Sequence, residues 1–170
     1  ERRAVGPKDV DIEIHYCGVC HSDLHQICSE WPSEFAYPMV PGHEIVGKVR
    51  SVGPEVTKYK VGDLVGVGCL VDSCRTCEAC DKGQEPYCET GFVATYTSLT
   101  DWYGKGPKIS VLEGHEGKEN TYGGDSQAVV VDQDFVLRMP TSMELARAAP
   151  LLCAGITTYS PLAHWKAKEL

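Results

Sequence analysis

Positively charged side chains and long hydrophobic runs are both scarce in this sequence. Its 170 residues carry 16 Lys and Arg against 24 Asp and Glu, which gives a formal net charge of −8. Such an acidic surface repels the phosphates of nucleic acids and of anionic lipids. In addition, no stretch approaches the roughly 20 apolar residues that a membrane-spanning helix needs. We therefore expect neither a nucleic-acid partner nor a membrane partner.

Two sequence motifs are absent as well. The first residues lack the apolar segment of a secretory signal peptide, so export is not indicated. Nowhere does a predicted strand run into Gly-x-Gly-x-x-Gly, the motif that wraps a dinucleotide pyrophosphate. We therefore expect a cytoplasmic protein whose sequence contains no Rossmann-type dinucleotide-binding domain.

Cysteine, in contrast, is abundant. Nine cysteines occur in the chain, several of them in Cys-x-x-Cys spacing. Hydrophobic residues make up 42% of the sequence, so the chain can build one ordinary core without the help of disulfides. An odd number of closely spaced cysteines in such a chain favours metal ligation and a reducing compartment.

The hydrophobic pattern predicts a mainly β fold with a few helices. Residues 10–16 alternate apolar and polar side chains with a period of two, as a half-buried strand does. A long polar and glycine-rich stretch at 91–120 predicts a surface excursion. The strands that we predict are 10–16, 45–52, 61–67, 128–131 and 135–137.

Helices are predicted after the first strand and at the end of the chain. Ser22 or Asp23 is placed to cap a short helix that runs to Cys28. The second helix covers 144–149 after a cap at Thr141 or Ser142, and the third covers 156–170. Because proline lacks the N–H that a helix interior needs, we expect interruptions at Pro150 and Pro161.

The densest cysteine motif has the spacing Cys-x-x-Cys-x-x-Cys-x7-Cys. Neighbouring thiolates can converge on one ion while the longer step brings back a fourth ligand, as in a closed tetrahedral structural zinc site. An iron–sulfur cluster and a pair of disulfides are the competing interpretations. The segment has too little apolar surface to order itself, so a metal would supply its folding free energy. Its cysteines are Cys74, Cys77, Cys80 and Cys88.

Three further residues form a second candidate metal site. Cys20, His43 and Cys153 each stand at a predicted chain reversal, and two cysteines with one histidine would leave a fourth zinc position open for a substrate. Each residue also has a plain structural explanation. Cys153 lies in an apolar run where packed thiols are common, and His43 after Gly42 fits a turn. Spacing alone leaves both readings open.

Five motifs in a fixed order give a more specific indication. They are Cys20-His-Ser-Asp-Leu-His25, Pro41-Gly-His-Glu44, Gly62-Asp-Leu-Val-Gly-Val67, the four-cysteine segment and Leu151-Leu-Cys-Ala-Gly155. This set resembles zinc-dependent medium-chain alcohol dehydrogenases, and the residues around the last two motifs are similar to cinnamyl-alcohol-dehydrogenase-like aldehyde reductases. A chance match of five ordered motifs is far rarer than that of one short pattern. The resemblance implies a GroES-like, partly open β-barrel with a zinc lobe.

The resemblance implies two zinc ions. Cys20, His43 and Cys153 correspond to the ligands of a catalytic zinc, and the four-cysteine segment corresponds to a structural zinc site. The family takes NADP(H) or NAD(H) on a second domain, which we expect to be absent from this chain. The cysteines without a matching ligand position, expected to serve packing, are Cys17, Cys28 and Cys69.

The resemblance also implies roles for residues beside the catalytic metal. Ser22 and His25 correspond to a proton relay through the cofactor ribose, although a helix cap and a solvated helix face are their plain alternatives. Asp23 corresponds to the carboxylate that hydrogen-bonds the zinc-binding histidine. The other correspondences are Glu44 with a carboxylate behind the metal, His21 with a contact to the cofactor phosphates, and Trp31 and Tyr37 with the substrate pocket.

These expectations describe an oxidoreductase that interconverts primary alcohols and aldehydes, aromatic ones included, by hydride transfer. Residues 1–155 are expected to form the catalytic domain, with the zinc lobe at 69–92, and 156–170 to begin the connection to a nucleotide-binding domain. The chain alone is expected to be inactive, and the full-length protein to be a homodimer. Competing hypotheses are a zinc-stabilised binding module without chemistry and a thiol redox protein that uses its Cys-x-x-Cys pairs.

Overall fold

The computed structural model of this chain describes residues 2–30, 38–98 and 121–167. Trp31 and Tyr37 lie outside these ranges, as does most of the predicted excursion at 91–120. The elements are the strands Asp9–Gly18 (β1), Glu44–Val52 (β2), Leu64–Val67 (β3), Leu70–Asp72 (β4), Val93–Ala94 (β5), Ala128–Asp132 (β6) and Leu137–Arg138 (β7), the α-helices His21–Ile27 (α1), Glu78–Asp81 (α2), Leu145–Ala148 (α3) and Ala154–His164 (α4), and the 3-10 helices Glu85–Tyr87, Gln133–Phe135 and Ala149–Leu152.

Five of the strands form one antiparallel sheet in the order β6-β1-β2-β3-β7, and β4 pairs with β5 in a separate two-stranded sheet. The apolar residues of the central strands alternate, so that Val10 and Ile12 of β1 are both fully buried. They pack in one core cluster with Ile45 and Val49 of β2 and with Val131 of β6. The core therefore holds β1, β2 and β6 together.

The structure confirms the mainly β fold with a few helices. Among the described residues every strand pairing is antiparallel, so none of them forms the parallel sheet of a Rossmann-type fold. No described helix combines the length and the hydropathy that crossing a membrane requires.

Several predicted boundaries are wrong for local reasons. Strand β3 begins at Leu64 rather than at Val61, because Gly62 adopts a φ of +94° in a turn. Helix α3 follows Glu144 without a side-chain cap, so the predicted caps at Thr141 and Ser142 are wrong. The ribbon strands β4 and β5 were not predicted, because short strands in the cysteine-rich and polar segments leave no alternating pattern.

The expected interruption at Pro150 is present, since α3 ends at Ala148, but the interruption expected at Pro161 is not. Pro161 lies inside the single helix α4, where the carbonyl that loses its partner is on an exposed surface. Pro150 occupies the first turn of a 3-10 helix, where its missing N–H costs nothing. Helix α4 has no buried residue, and its apolar side chains Ile156, Tyr159 and Leu162 are all more than half exposed, at 53%, 60% and 55%.

The packing role expected for three cysteines holds for one of them. Cys17 is half-buried and packs against the core cluster. Cys28 is exposed because it follows the last turn of α1 at the surface. Cys69 is exposed in the connection between β3 and β4, where it faces a cavity.

Candidate functional site

The four cysteines of the dense motif meet within a small lobe. Cys77 is the N-cap of helix α2 and Cys80 lies inside that helix, while Cys88 directly follows the 3-10 helix Glu85–Tyr87. These short helices turn the chain back, so that their sulfurs meet the sulfur of Cys74. Their sulfur atoms all lie within 4.8 Å of one another. We call Cys74, Cys77, Cys80 and Cys88 the four-cysteine cluster.

The spacing of this cluster fits a tetrahedral metal ion. Two sulfurs bound at about 2.3 Å to one ion in tetrahedral geometry lie about 3.8 Å apart. The sulfurs of Cys74 and Cys80 lie 3.9 Å apart, and all the cysteines are free. Burial disfavours the charged thiolate of Cys74, but backbone N–H groups of Thr76 and Cys77 outweigh it and lower the pKa of this thiol to about 6. Cys74 thus favours the anionic sulfur that a cation needs, whereas burial raises the pKa of the Cys80 thiol to about 12.

Arg75 fastens this lobe to the main sheet. Its guanidinium lies 2.8 Å from the carboxylate of Asp72 in β4 and 3.2 Å from that of Asp132 at the end of β6. It also stacks over the ring of Phe135 at 5.3 Å. Both carboxylates are almost completely buried, so the arginine compensates charges that would otherwise be costly.

A second cluster gathers residues that are far apart in the sequence. Cys20 is the N-cap of α1, His43 directly precedes β2, and Cys153 lies between the 3-10 helix Ala149–Leu152 and α4. One ligand atom from each of these residues and one from Glu44 all lie within 4.8 Å of one another. We call Cys20, His43, Glu44 and Cys153 the mixed cluster.

The mixed cluster also has the spacing and chemistry of a metal site. The sulfurs of Cys20 and Cys153 lie 3.7 Å apart, again close to the separation of two ligands on one ion. Burial and the neighbouring thiols Cys69 and Cys20 raise the pKa of Cys153, because a second anionic sulfur at this distance is repelled. A bound cation reverses that effect, so these donors suit a zinc-like ion.

Asp23 connects the segments that carry Cys20 and His43. Its side chain is buried, its Oδ1 lies 3.2 Å from Nδ1 of His43, and the same oxygen accepts the Gly42 N–H at 3.0 Å. Its Oδ2 accepts the Cys20 N–H at 2.9 Å. Although burial opposes ionisation, these hydrogen bonds lower the pKa of Asp23 to about 2. Asp23 also raises the pKa of His43 against the effect of burial.

Glu44 is buried behind the cluster, with 2% of its surface exposed. It pairs with Gly18 across β1 and β2, and a Cβ atom added to Gly18 would lie 2.0 Å from the Glu44 carboxylate. Only glycine at position 18 allows the carboxylate to lie there. The carboxylate can therefore reach the ion position from the protein side.

A cavity of about 210 Å³ adjoins the mixed cluster. The Ser22 hydroxyl faces it and lies 3.6 Å from the Cys20 sulfur. The wall combines apolar side chains with a few polar groups, as small-molecule sites do. The lining residues are Ser22, Gln26, His43, Cys69, Phe92, Ala94, Tyr96 and Thr97.

The two other histidines of the predicted site lie apart from the mixed cluster. His21 is exposed on α1, and its ring contacts that of His25 at 4.7 Å between centroids. Nδ1 of His25 lies 2.5 Å from the Glu30 carboxylate. The structure thus brings together Cys20, Ser22, Asp23, His43, Glu44 and Cys153, whereas His21 and His25 lie on the outer part of α1.

Sequence reasoning missed the cavity wall formed by residues 92–97. This segment lies in the stretch that we predicted to be a surface excursion, yet Thr95 and Tyr96 are buried. The prediction was wrong there because the segment is buried through contacts with distant parts of the chain rather than through its own hydrophobic pattern. The aromatic and apolar residues Phe92 and Tyr96 were the available signal.

The chain was compared with protein families and with known proteins. Residues 6–141 match the family model described as the alcohol dehydrogenase GroES-like domain. The chain is 56% identical over 169 residues to NADP-dependent alcohol dehydrogenase C 1 of Mycolicibacterium smegmatis and 55% identical over 167 residues to the aldehyde reductase YahK of Escherichia coli. Each alignment covers 98% of this chain and 43% of the relative, so the chain spans less than half their length.

Solved structures agree with these relatives. The chain is similar to the cinnamyl alcohol dehydrogenase of Helicobacter pylori in complex with NADP(H), with a TM-score of 0.84 and 47% identity over 97% of this chain and 43% of that one. It is also similar to a cinnamyl alcohol dehydrogenase from Sorghum bicolor, with a TM-score of 0.83 and 48% identity over 98% of this chain and 43% of that one. The chain therefore belongs to the alcohol dehydrogenase GroES-like domain family.

Proposed function

We propose that this chain is the metal-binding catalytic part of an alcohol dehydrogenase or aldehyde reductase that transfers hydride with NADP(H). One observation carries the proposal: two cysteines and one histidine from distant segments lie within 4.8 Å of one another beside a cavity lined by Ser22. A purely structural metal site has no need of an adjoining cavity.

We assign the mixed cluster to a catalytic zinc ion held by Cys20, His43 and Cys153. A zinc ion held there acts as a Lewis acid toward the substrate oxygen. The Nδ1–H of His43 donates a hydrogen bond to the Asp23 carboxylate, which leaves Nε2 as the nitrogen that can bind a metal. The buried Glu44 carboxylate lies in the same group, and the family resemblance would make it a ligand that exchanges with the substrate oxygen.

We assign Ser22 the transfer of the proton that the alcohol hydroxyl loses in the reaction. In the oxidation direction, a bound nicotinamide would accept a hydride from the alcohol carbon, and the alcohol hydroxyl would give up a proton. The Ser22 hydroxyl faces the cavity, where it can hydrogen-bond the substrate oxygen and accept that proton while passing on its own. The family resemblance continues the path through the cofactor ribose to His25, and it assigns His21 a contact with the cofactor phosphates.

The four-cysteine cluster is assigned to a structural zinc ion. Its four sulfurs would complete the tetrahedral coordination of such an ion and leave no position for a substrate, so the ion would serve to fold the lobe. Two zinc ions per chain are the resulting proposal. The alternatives of an iron–sulfur cluster and of thiol redox chemistry at the Cys-x-x-Cys pairs are tested by the metal content described below.

The cofactor and the substrate are proposed from the relatives. Several of them are NADP-dependent alcohol dehydrogenases, aldehyde reductases or cinnamyl alcohol dehydrogenases by name. We therefore favour NADP(H) over NAD(H), and small primary alcohols and aldehydes, aromatic ones included, as substrates. A cytoplasmic location and a homodimer for the complete protein remain part of this proposal.

The domain organisation is also a proposal. Residues 1–155 would form the catalytic domain, with the zinc lobe at 69–92, and 156–170 would begin the connection to a nucleotide-binding domain. The exposed apolar side chains of α4 support this division, because a face of this kind usually packs against another element.

The proposal is tested by metal analysis and activity of Cys153→Ser in the chain and in any longer protein that its gene encodes. Wild type should bind two zinc ions, and the variant should bind one and remain folded. The longer wild-type protein should oxidise NADPH with an aromatic aldehyde, and the variant should not. Cys28→Ser, which changes an exposed cysteine outside both clusters, is the matched control.

Two results would contradict the proposal. Normal turnover by Cys153→Ser in the longer protein would show that catalysis does not require the mixed cluster. Two bound zinc ions without any nicotinamide-dependent activity would instead favour a zinc-stabilised binding module. Iron in place of zinc, or rapidly titrating Cys-x-x-Cys thiols, would favour the alternatives for the four-cysteine cluster.

A further inference from the structure

Tyr96 lies between the cavity and the mixed cluster, and the proposed reaction assigns it no role. Its side chain is 7% exposed and lines the cavity together with Ser22 and His43. A phenol hydroxyl this deeply buried is normally hydrogen-bonded. The group that it faces is the carboxylate of Asp23, which lies within hydrogen-bonding reach.

Asp23 collects donors from every segment around the metal position. Its carboxylate oxygens interact with the backbone N–H groups of Cys20 and Gly42 and with Nδ1 of His43. The buried Tyr96 hydroxyl lies beside the same carboxylate and is placed to act as a further donor. An ionised carboxylate offers about four lone-pair sites, so the three donors above leave one site for this hydroxyl. Loss of one donor would leave the carboxylate free to tilt and His43 free to follow it.

The ring of Tyr96 contacts His43 directly. The two ring centroids lie 5.5 Å apart with an angle of 32° between the planes, so the tyrosine packs against one face of the imidazole. Tyr96 therefore restrains His43 in two ways: its ring contacts the imidazole, and its hydroxyl contacts the carboxylate that fixes Nδ1. A histidine restrained in this way keeps Nε2 in one direction.

The backbone that carries Tyr96 is itself fixed on both sides. Thr95 N–H donates to the Cys69 carbonyl at 3.1 Å, and Thr97 N–H donates to the Thr121 carbonyl at 3.0 Å. Gln26 of helix α1 donates to the Thr97 hydroxyl at 2.7 Å. Burial and the nearby Asp23 charge raise the pKa of Tyr96, so its hydroxyl remains a proton donor at neutral pH.

We propose that Tyr96 is a positioning residue for the mixed cluster, holding Asp23 and His43 in the arrangement that a borderline divalent ion such as Zn²⁺ requires. The inference rests on the proposed function only in taking the mixed cluster as a metal site. Tyr96 is not among the residues whose ligand atoms meet in the mixed cluster. Its effect is carried by Asp23 and His43, as partners of metal ligands commonly act.

The test is the metal affinity of Tyr96→Phe, measured by competition with a chromophoric chelator on the zinc-loaded chain. The phenylalanine keeps the ring against His43 and removes the hydroxyl. The metal of the mixed cluster, identified by its absence in Cys153→Ser, should be released at about 10-fold lower chelator concentration, the lower end of the effect of a lost ligand partner. The visible spectrum of cobalt bound at this site should also change, and release from the four-cysteine cluster should be unchanged.

Tyr59→Phe is the matched control. The Tyr59 hydroxyl donates to the carbonyl of Val136, which directly precedes β7, and neither residue belongs to a cluster. This variant also loses one phenol hydrogen bond, so it reports the general cost of that loss. It should leave the affinity and the cobalt spectrum of the mixed cluster as in wild type.

A double variant separates positioning from simple packing. If Tyr96 acts through Asp23, Tyr96→Phe should have little further effect on metal affinity in an Asp23→Ala background. Additive losses, or a Tyr96→Phe chain with wild-type affinity and cobalt spectrum, would overturn the inference while leaving the proposed function intact. A wild-type chain that binds no metal at the mixed cluster would overturn both.

Discussion

The two clusters of this protein reach a similar ligand spacing in opposite ways. The four-cysteine cluster takes all its sulfurs from residues 74–88, and the mixed cluster takes its ligand atoms from residues as far apart as Cys20 and Cys153. Sulfurs lie 3.9 Å apart in the first and 3.7 Å apart in the second. The same separation is thus produced once by local turns and once by the tertiary fold.

The difference shows what each cluster needs for its order. The four-cysteine lobe has short helices and little buried apolar surface, so the proposed metal ion would supply much of its folding free energy. The mixed cluster lies on elements that the sheet and the Asp23 hydrogen bonds already hold. We therefore expect metal loss to unfold the lobe but to leave the mixed cluster assembled.

The largest expected effect is that of Cys74→Ser. Structural zinc binding is worth on the order of 10 kcal/mol in small zinc domains, so loss of a ligand should release the metal and unfold the lobe. Metal content should fall by one ion, and limited proteolysis should cut within residues 74–92. The Cys28→Ser chain should resist cleavage as wild type does. If Cys74→Ser lost its metal and the lobe still resisted the protease, the lobe would not depend on metal for its order. The proposed difference between the two clusters would then be wrong.

A second prediction concerns the connection between the lobe and the sheet. Arg75→Met removes the cation that lies beside the buried carboxylates of Asp72 and Asp132, so we expect destabilisation by about 3–5 kcal/mol in urea unfolding. Arg147→Met, which removes an ion pair between exposed side chains, should give no measurable change. Equal stabilities of the two variants would mean that the lobe is attached by other contacts.

The third prediction concerns the carboxylate of the mixed cluster. Asp23→Asn keeps the shape but removes the charge that orients His43, so metal affinity there should fall by about 10- to 100-fold. Release of metal from the four-cysteine cluster should not change, which chelator titration of the same sample shows directly. An equal loss at both clusters would indicate general unfolding instead.

A smaller effect is expected from pH. The pKa of Asp23 is lowered to about 2 in the folded chain from an ordinary value of 3.8, so ionised Asp23 stabilises the fold. That contribution is fully present above about pH 4 and is lost as the pH falls toward 2. The gap in unfolding free energy between wild type and Asp23→Asn should therefore narrow over this range in urea titrations. A constant gap would contradict the lowered pKa.

The smallest effect should come from Cys69→Ser. Cys69 lines the cavity next to the mixed cluster but is not among the residues whose ligand atoms meet there. Metal stoichiometry should stay at two ions per chain, with both release phases as in wild type. Loss of the second ion would show that a third sulfur belongs to the mixed cluster.

Much of the protein could be predicted because the signals were local. The alternation in β1 and β2 predicted strands, and the cysteine spacing predicted a lobe with convergent thiols. The predicted Asp23–His43 contact is also present in the structure. In this case the indication came from the resemblance of ordered motifs, since nothing in the spacing of positions 23 and 43 requires the contact.

The cavity wall and Tyr96 could not be predicted in this way. Residues 92–97 carry no regular pattern, and they are buried through contacts with distant residues. Cys69 and Thr121 hydrogen-bond to their backbone, and the Gly68 carbonyl accepts from the Thr95 hydroxyl. The exposure of Cys28 and Cys69 likewise depends on their positions in the fold rather than on the residue type. Cys28 follows the last turn of α1, and Cys69 lies in the connection between β3 and β4.

The sequence by itself determined the features that depend on neighbouring residues. These are the strand periodicity, the four-cysteine spacing and the identity of the candidate ligands. The tertiary structure alone decided that the side chains of Cys20, His43 and Cys153 come together and that Tyr96 lies next to Asp23. The reason is physical. Spacing along a chain restricts only neighbours, whereas contacts between distant residues depend on how the sheet packs and which buried polar groups must find partners.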